Sequence, residues 1–86
     1  MTYYVGIDIA KYKHDCFIAD DSGCVIRDSF SFTNDKDGFN ILLSILKGIK
    51  TKGQIKIGFE STGHYHFNLK LCLEANGLTM LSLILY

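Results

Sequence analysis

The 86 residues contain no proline. No low-complexity linker and no repeat of solenoid length occurs either, so residues 1–86 read as one continuous domain. An excess of either charge is also missing, since nine Lys and Arg balance nine Asp and Glu. That balance argues against a freestanding, strongly basic nucleic-acid module, because phosphate binding draws its affinity from clustered cations. The three cysteines, Cys16, Cys24 and Cys72, are odd in number and form no CxxC pair. Neither a disulfide framework nor a zinc knuckle is indicated, and reduced thiols in a cytoplasmic protein are expected. "MTYYVGID" lacks a basic n-region and meets an acid before an apolar stretch can form, so it does not read as a signal peptide. The tail "LTMLSLILY" is too short for a membrane span, which needs about 20 residues. It reads as a buried strand, and no membrane partner is expected.

What is present is 48% hydrophobic and 21% charged, ordinary proportions for one soluble domain. A chain of this size buries only about 60 to 65% of its unfolded surface, so charge held inside needs a partner or a purpose. "YYVGIDIA" is near-continuously apolar and suits a central strand covered on both faces. "HDCFIAD", the turn "DSG" and "CVIRDSFSF", which alternates from Val25 to Phe32, read as a hairpin. "TNDKDGFNILLSILKGIK" offers Thr33, Asn34 and Asp35 as caps, a stripe of Phe39, Leu42, Leu43, Leu46 and Ile49, and Lys47 and Lys50 at its C-terminal end. "QIKIGFE" predicts a fourth strand. "STGHYHFNLKLCLEANG" predicts a second helix with a stripe of Tyr65, Leu69, Cys72 and Leu73 and a C-terminal Gly77. The tail then supplies a fifth strand, and the order defines an α/β domain with right-handed parallel crossovers at its end.

Two strands carry glycine, an apolar residue and then an acid: Gly6-Ile7-Asp8 and Gly58-Phe59-Glu60. Alternation sets Gly6 and Asp8 opposite Val5, Ile7 and Ile9, and Lys56, Gly58 and Glu60 opposite Ile55, Ile57 and Phe59. On parallel neighbours about 4.8 Å apart, both carboxylates would leave one face near the strands' C-terminal ends, where open α/β sheets bind ligands. Two such acids repel unless a cation lies between them, and hard oxygen donors suit Mg²⁺ or Mn²⁺ in phosphodiester chemistry. A plainer reading stands beside this one: Asp8 and Glu60 as solvated strand ends, Glu60 before a helix whose dipole favours an acid.

"VGIDIAKYKHDCFIAD" together with "GFESTGHYHFNLKLCLEANGL" resembles the N-terminal part of insertion-sequence transposases with a DEDD active site, the group that includes the pilin-gene invertases. The specific parts are Gly6-Ile7-Asp8-Ile9-Ala10-Lys11 and Glu60-Ser61-Thr62-Gly63 with Tyr65. The resemblance implies a ribonuclease H-like, RuvC-like fold: a mixed five-stranded sheet ordered third, second, first, fourth, fifth, with helices. It implies that Asp8 and Glu60 are catalytic Mg²⁺ or Mn²⁺ ligands and that DNA is the partner, with a guide RNA as in some members of the family. Separately, an exposed sheet edge or missing helix in so small a chain favours dimers, so a homo-oligomer is expected. The family's last two aspartates and its serine-bearing domain have no counterpart here, so the chain reads as an incomplete N-terminal portion of a DNA recombinase, inactive by itself.

Around the two acids, Lys11, Thr62 and His64 are the candidate nucleic-acid contacts: Lys11 as a phosphate-reaching cation, Thr62 at the opening of the second helix, His64 in its first turn. Solvation of Lys11 and simple capping by the Ser61–Thr62–Gly63 stretch explain the same residues without a ligand. His64 and His66, two apart, diverge on a helix and are expected to be exposed. His14 shows no partner in the sequence. Two other functions remain as alternatives. One is a sugar-kinase or actin-like ATPase half, which also opens with Gly-x-Asp and a hairpin, although "IAKYKH" has no glycine-rich phosphate loop. The other is a non-catalytic oligomerisation or RNA-docking module.

Overall fold

The computed structural model describes residues 1–61 and 63–82. Its elements follow the order β1 (Thr2–Ile9), β2 (Lys13–Asp20), β3 (Val25–Thr33), α1 (Lys36–Lys50), β4 (Gln54–Ser61), α2 (Phe67–Ala75) and β5 (Met80–Ser82). The strands form one mixed sheet ordered β3-β2-β1-β4-β5, with β1 antiparallel to β2 and parallel to β4, and β4 parallel to β5. The expected α/β class and strand order are therefore observed.

The turn between β2 and β3 is built on Asp20. Its Oδ1 accepts from the Ser22 amide at 2.9 Å, the Ser22 hydroxyl at 2.6 Å and the Cys24 amide at 3.0 Å, while Gly23 takes φ +86°, a conformation that costs glycine little. These donors, the Ser22 hydroxyl first, hold the Asp20 carboxyl below its ordinary value. Helix α1 starts on Asp35, whose Oδ1 accepts from the Gly38 amide at 2.9 Å and from the Thr33 hydroxyl at 2.6 Å. Of the three capping candidates, Asp35 is the N-cap. The five residues of its apolar stripe are all buried, as a 3.6-residue period requires of a helix laid on a sheet.

The core lies on one side of the sheet. Val5, Ile7, Ile9, Cys16, Ile18, Ile57 and Phe59 point into it, and Leu42, Leu46, Leu69 and Leu73 meet them from the two helices. Burial pushes the Cys16 thiol up to about 12, so this cysteine is a small core residue with no thiolate character at neutral pH. The opposite face of β1 is open: its burial alternates strictly, with Tyr4, Gly6 and Asp8 exposed. Cover on both faces was expected of β1, and among the described residues only one face has it, because both helices fall on the same side. The apparent continuity came from Tyr4 and Gly6, which are exposed despite being apolar in type.

Strand β3 also departs from its expected alternation, being exposed from Val25 to Ser29. The pairing runs Cys16↔Phe30, Ile18↔Arg27 and Ala19↔Val25. Each step adds an extra residue on β3, a bulge that inverts the inward and outward phase. Only Phe30 and Phe32, before the irregularity, pack on the core. The second helix begins at Phe67, six residues beyond the expected Ser61. Strand β4 continues to Ser61, paired with Ile9, and Gly63 at φ +84° turns the chain before a helix can start. Tyr65 is consequently exposed and off the stripe, whereas Leu69 and Leu73 are buried as expected. At its end, Gly77 at φ +76° donates to the Glu74 carbonyl at 3.0 Å and Leu78 to that of Leu73 at 2.9 Å, the two bonds of a Schellman motif.

Candidate functional site

Strands β1 and β4 run parallel with Gly6 opposite Gly58 and Asp8 opposite Glu60. In a parallel pair, opposite residues share a face and lie about 4.8 Å apart. Asp8 and Glu60 thus emerge side by side from the open face of the sheet, both exposed. Their strands end one residue later, at Ile9 and Ser61, so the pair stands at the C-terminal edge of the parallel strands. Ahead of it, the paired glycines leave a bare strip of backbone. A methyl group on Gly6 would meet nothing within 4 Å among the described residues, so their packing does not require a glycine there.

A groove of about 430 Å³ runs from Gly6 past the acids towards β2 and β3, lined by Gly6, Asp8, Asp15, Phe17, Ser29 and Glu60 with Ile7 and Cys16. It contains an acid that the sequence reading missed. Asp15 on β2 is directly opposite Asp8 in the antiparallel register, so three carboxylates form a row across β2, β1 and β4. Asp15 also accepts a short hydrogen bond from the Ser31 hydroxyl. The signal was available in the hairpin: a connection of Ala10 to Tyr12 between the strands brings Asp8 and Asp15 into register. The outer members of the row, Asp15 and Glu60, are two strand spacings apart, about 10 Å. Among the described residues no three His, Cys, Asp or Glu side chains converge closely enough to hold one metal ion. Asp8 and Glu60 remain an adjacent pair of hard oxygen donors, and one or two carboxylates completed by water and substrate oxygens is a normal Mg²⁺ donor set.

The other candidates are placed less centrally. Lys11 is exposed in the β1–β2 loop with its ammonium 5.1 Å from the centre of the Tyr12 ring. His64 is exposed in the turn before α2, its ring stacked 6.1 Å from Phe67, and neither residue lines the groove. Thr62 lies outside the described residues. His66 was expected to be exposed, but its ring is half-buried, stacked 4.9 Å from Phe59 and 4.8 Å from Phe67. The later start of α2 causes this difference, because His66 falls at the helix N-cap and turns inward onto β4. Cys24 is exposed and Cys72 half-buried, and both are free thiols, as is Cys16. None of the described helices is long and apolar enough to cross a membrane.

The model of a family described as transposase, of the DEDD IS110 type, matches residues 5–86. The chain belongs to this transposase family. No curated protein sequence matches the chain. Among solved structures, it is similar to a Ppx/GppA family member of Aquifex aeolicus at 17% identity and a TM-score of 0.47, covering 95% of this chain and 35% of that one. It is also similar to the ethanolamine utilization protein EutJ from Carboxydothermus hydrogenoformans, at 13% identity and a TM-score of 0.43, covering 93% and 35%. The chain therefore spans about a third of the length of these structures.

Proposed function

We propose that the chain is the part of a ribonuclease H-like DNA recombinase that carries its first two metal-binding carboxylates, Asp8 and Glu60. The observation that carries this reading is the register of β1 on β4: two acids abreast on an uncovered face, each preceded by a glycine, with those glycines also abreast. Two like charges at one strand spacing repel, and a shared divalent cation offsets that repulsion. Asp8 and Glu60 would hold a Mg²⁺ or Mn²⁺ ion at the strand ends, where it would supply Lewis-acid polarisation of a phosphoryl oxygen and of a bound water or hydroxyl. The side-chain-free strip at Gly6 and Gly58 leaves room for a phosphodiester backbone to approach the sheet. Lys11, three residues beyond Asp8, offers a cation to a neighbouring phosphate. His64 and Thr62 flank the other acid in sequence and are its proposed nucleic-acid contacts. The remaining ligands and a guide RNA enter this reading through the family resemblance alone, and self-association through the small size of the chain and its exposed sheet edge.

Calorimetry with Mn²⁺ tests the proposal. The intact chain is expected to release or absorb binding heat that Asp8→Asn combined with Glu60→Gln abolishes, while circular dichroism shows the variant still folded. Equal heats from both proteins refute the metal role.

A further inference from the structure

His14 is completely buried at the start of β2, directly beyond the loop that carries Lys11. A buried histidine needs partners, and this one reaches across the loop. Its Nδ1 accepts from the Ala10 amide at 3.2 Å. A nitrogen that accepts from an N–H carries no proton, so the ring is neutral and its proton resides on Nε2. Among the described residues, Nε2 is buried without a hydrogen-bond partner, and so is Oδ1 of Asn34. These atoms are a complementary donor and acceptor. The Asn34 side chain acts directly on the ring, favouring its charged form against the larger opposing effect of burial, which lowers the His14 pKa. The contact lies outside hydrogen-bond geometry.

Asn34 ties the other end. Its Nδ2 donates to the Lys11 carbonyl at 3.0 Å, and its backbone amide donates to the Tyr12 carbonyl at 2.9 Å. The first of these bonds orients the amide, nitrogen towards the loop and oxygen away from it. Ala10, Lys11 and Tyr12 are therefore held at successive positions by the His14 side chain from β2 and by the side chain and backbone amide of Asn34 at the β3–α1 junction. Edge-on packing of the His14 ring against Phe32, 5.2 Å between centroids, keeps it from swinging away.

We propose that His14, as the neutral Nε2–H tautomer, is a positioning residue that clasps the β1–β2 loop through Ala10 and Asn34 and so fixes Lys11 next to the strand end bearing Asp8. The clasp stands on its own geometry. Its consequence for Lys11 rests on the proposed metal role of Asp8 and Glu60.

Long-range ¹H–¹⁵N NMR of the full chain at pH 7.5 reads the tautomer. The Nε2–H form is expected, and an Nδ1–H form or an imidazolium overturns the clasp. Amide exchange in the same samples reads the loop. Loss of one hydrogen bond from a local opening is worth roughly tenfold in protection. His14→Leu and Asn34→Ala should therefore each speed Ala10 exchange about tenfold while the central amides of α1 keep their protection. His14→Asn, which leaves an acceptor near the Nδ1 position, should restore most of the protection at Ala10. Asn34 is only half-buried, so its alanine variant remains informative if a core change at His14 prevents folding. Unchanged Ala10 exchange in Asn34→Ala overturns the proposal. Mn²⁺ added to the same samples should broaden signals at Asp8, Glu60 and Lys11 together. Absence of broadening at all three overturns the metal role, while the tautomer and exchange results decide the clasp separately.

Discussion

Helix α1 contains two glycines for which the same substitution should act in opposite directions. A Cβ built on Gly48 meets nothing within 4 Å, and the residue is exposed near the end of the helix. Gly48→Ala should therefore gain about 0.5 to 1 kcal/mol from helix propensity and lost unfolded-state entropy. A Cβ built on Gly38 would lie 1.9 Å from the Thr33 carbonyl oxygen and 2.6 Å from its amide nitrogen. Both are backbone atoms, which cannot rotate aside. The intrinsic gain is the same, but α1 must shift away from the end of β3, and overpacking of this kind costs about 1 to 3 kcal/mol or more. The net expectation for Gly38→Ala is a loss of about 1 to 2 kcal/mol. For a domain of this size that means a Tm lower by about 4 to 16 °C, against a rise of about 2 to 8 °C for Gly48→Ala. Urea denaturation followed by circular dichroism, with thermal melts of the same proteins, measures both. If Gly38→Ala proves as stable as the unsubstituted chain or more so, the close seat of α1 on Thr33 is wrong. The placement of Asn34, one residue further on, would fall with it.

Leu46 is buried completely between α1 and the sheet, so Leu46→Ala should cost about 2 to 5 kcal/mol in the same denaturation assay; a loss below 1 kcal/mol would contradict the one-sided core. The pKa of His14 is lowered by burial, so the unfolded chain takes up a proton that the native one resists. This contribution is fully present above the ordinary histidine value of 6.5 and is lost progressively as pH falls below it towards the native value. Urea midpoints should accordingly drop between pH 7.5 and 5.5, by less in His14→Asn, and an equal drop in both proteins would contradict the assignment. Asp20 and Asp35 are held below their ordinary value of 3.8 by the hydroxyl and amide donors around them. They add a second loss of stability below that pH, and a midpoint unchanged from pH 4.5 to 2.5 would refute it.

The parts of the fold that were legible in the sequence are those governed by local periodicity. The α1 stripe, a cap among Thr33, Asn34 and Asp35, the Gly77 ending and the two Gly-x-acid strands each follow from patterns within about ten residues. What was not legible depends on partners distant in sequence. The bulges in β3 are set by its pairing with β2, so the alternation expected from Val25 to Phe32 fails over Val25 to Ser29, which are exposed. The start of α2 was misplaced because Ser61 pairs with Ile9 and stays in the sheet, overriding the capping potential of a hydroxyl followed by polar residues. Asp15 became part of the acidic row only through the register of the hairpin, and His14 gained its partners only when the β3–α1 junction met the β1–β2 loop. The Asp8 and Glu60 pair was readable because an identical motif in two strands needs only an in-register parallel pairing to bring its acids together.

The most direct measurement of that pairing is a crystal structure of the chain grown with Mn²⁺, with anomalous scattering recorded at the manganese edge. The account requires an anomalous peak about 2.0 to 2.3 Å from carboxylate oxygens of both Asp8 and Glu60, on the sheet face away from the helices. Clear electron density for both side chains without such a peak, or manganese bound only elsewhere, would contradict it.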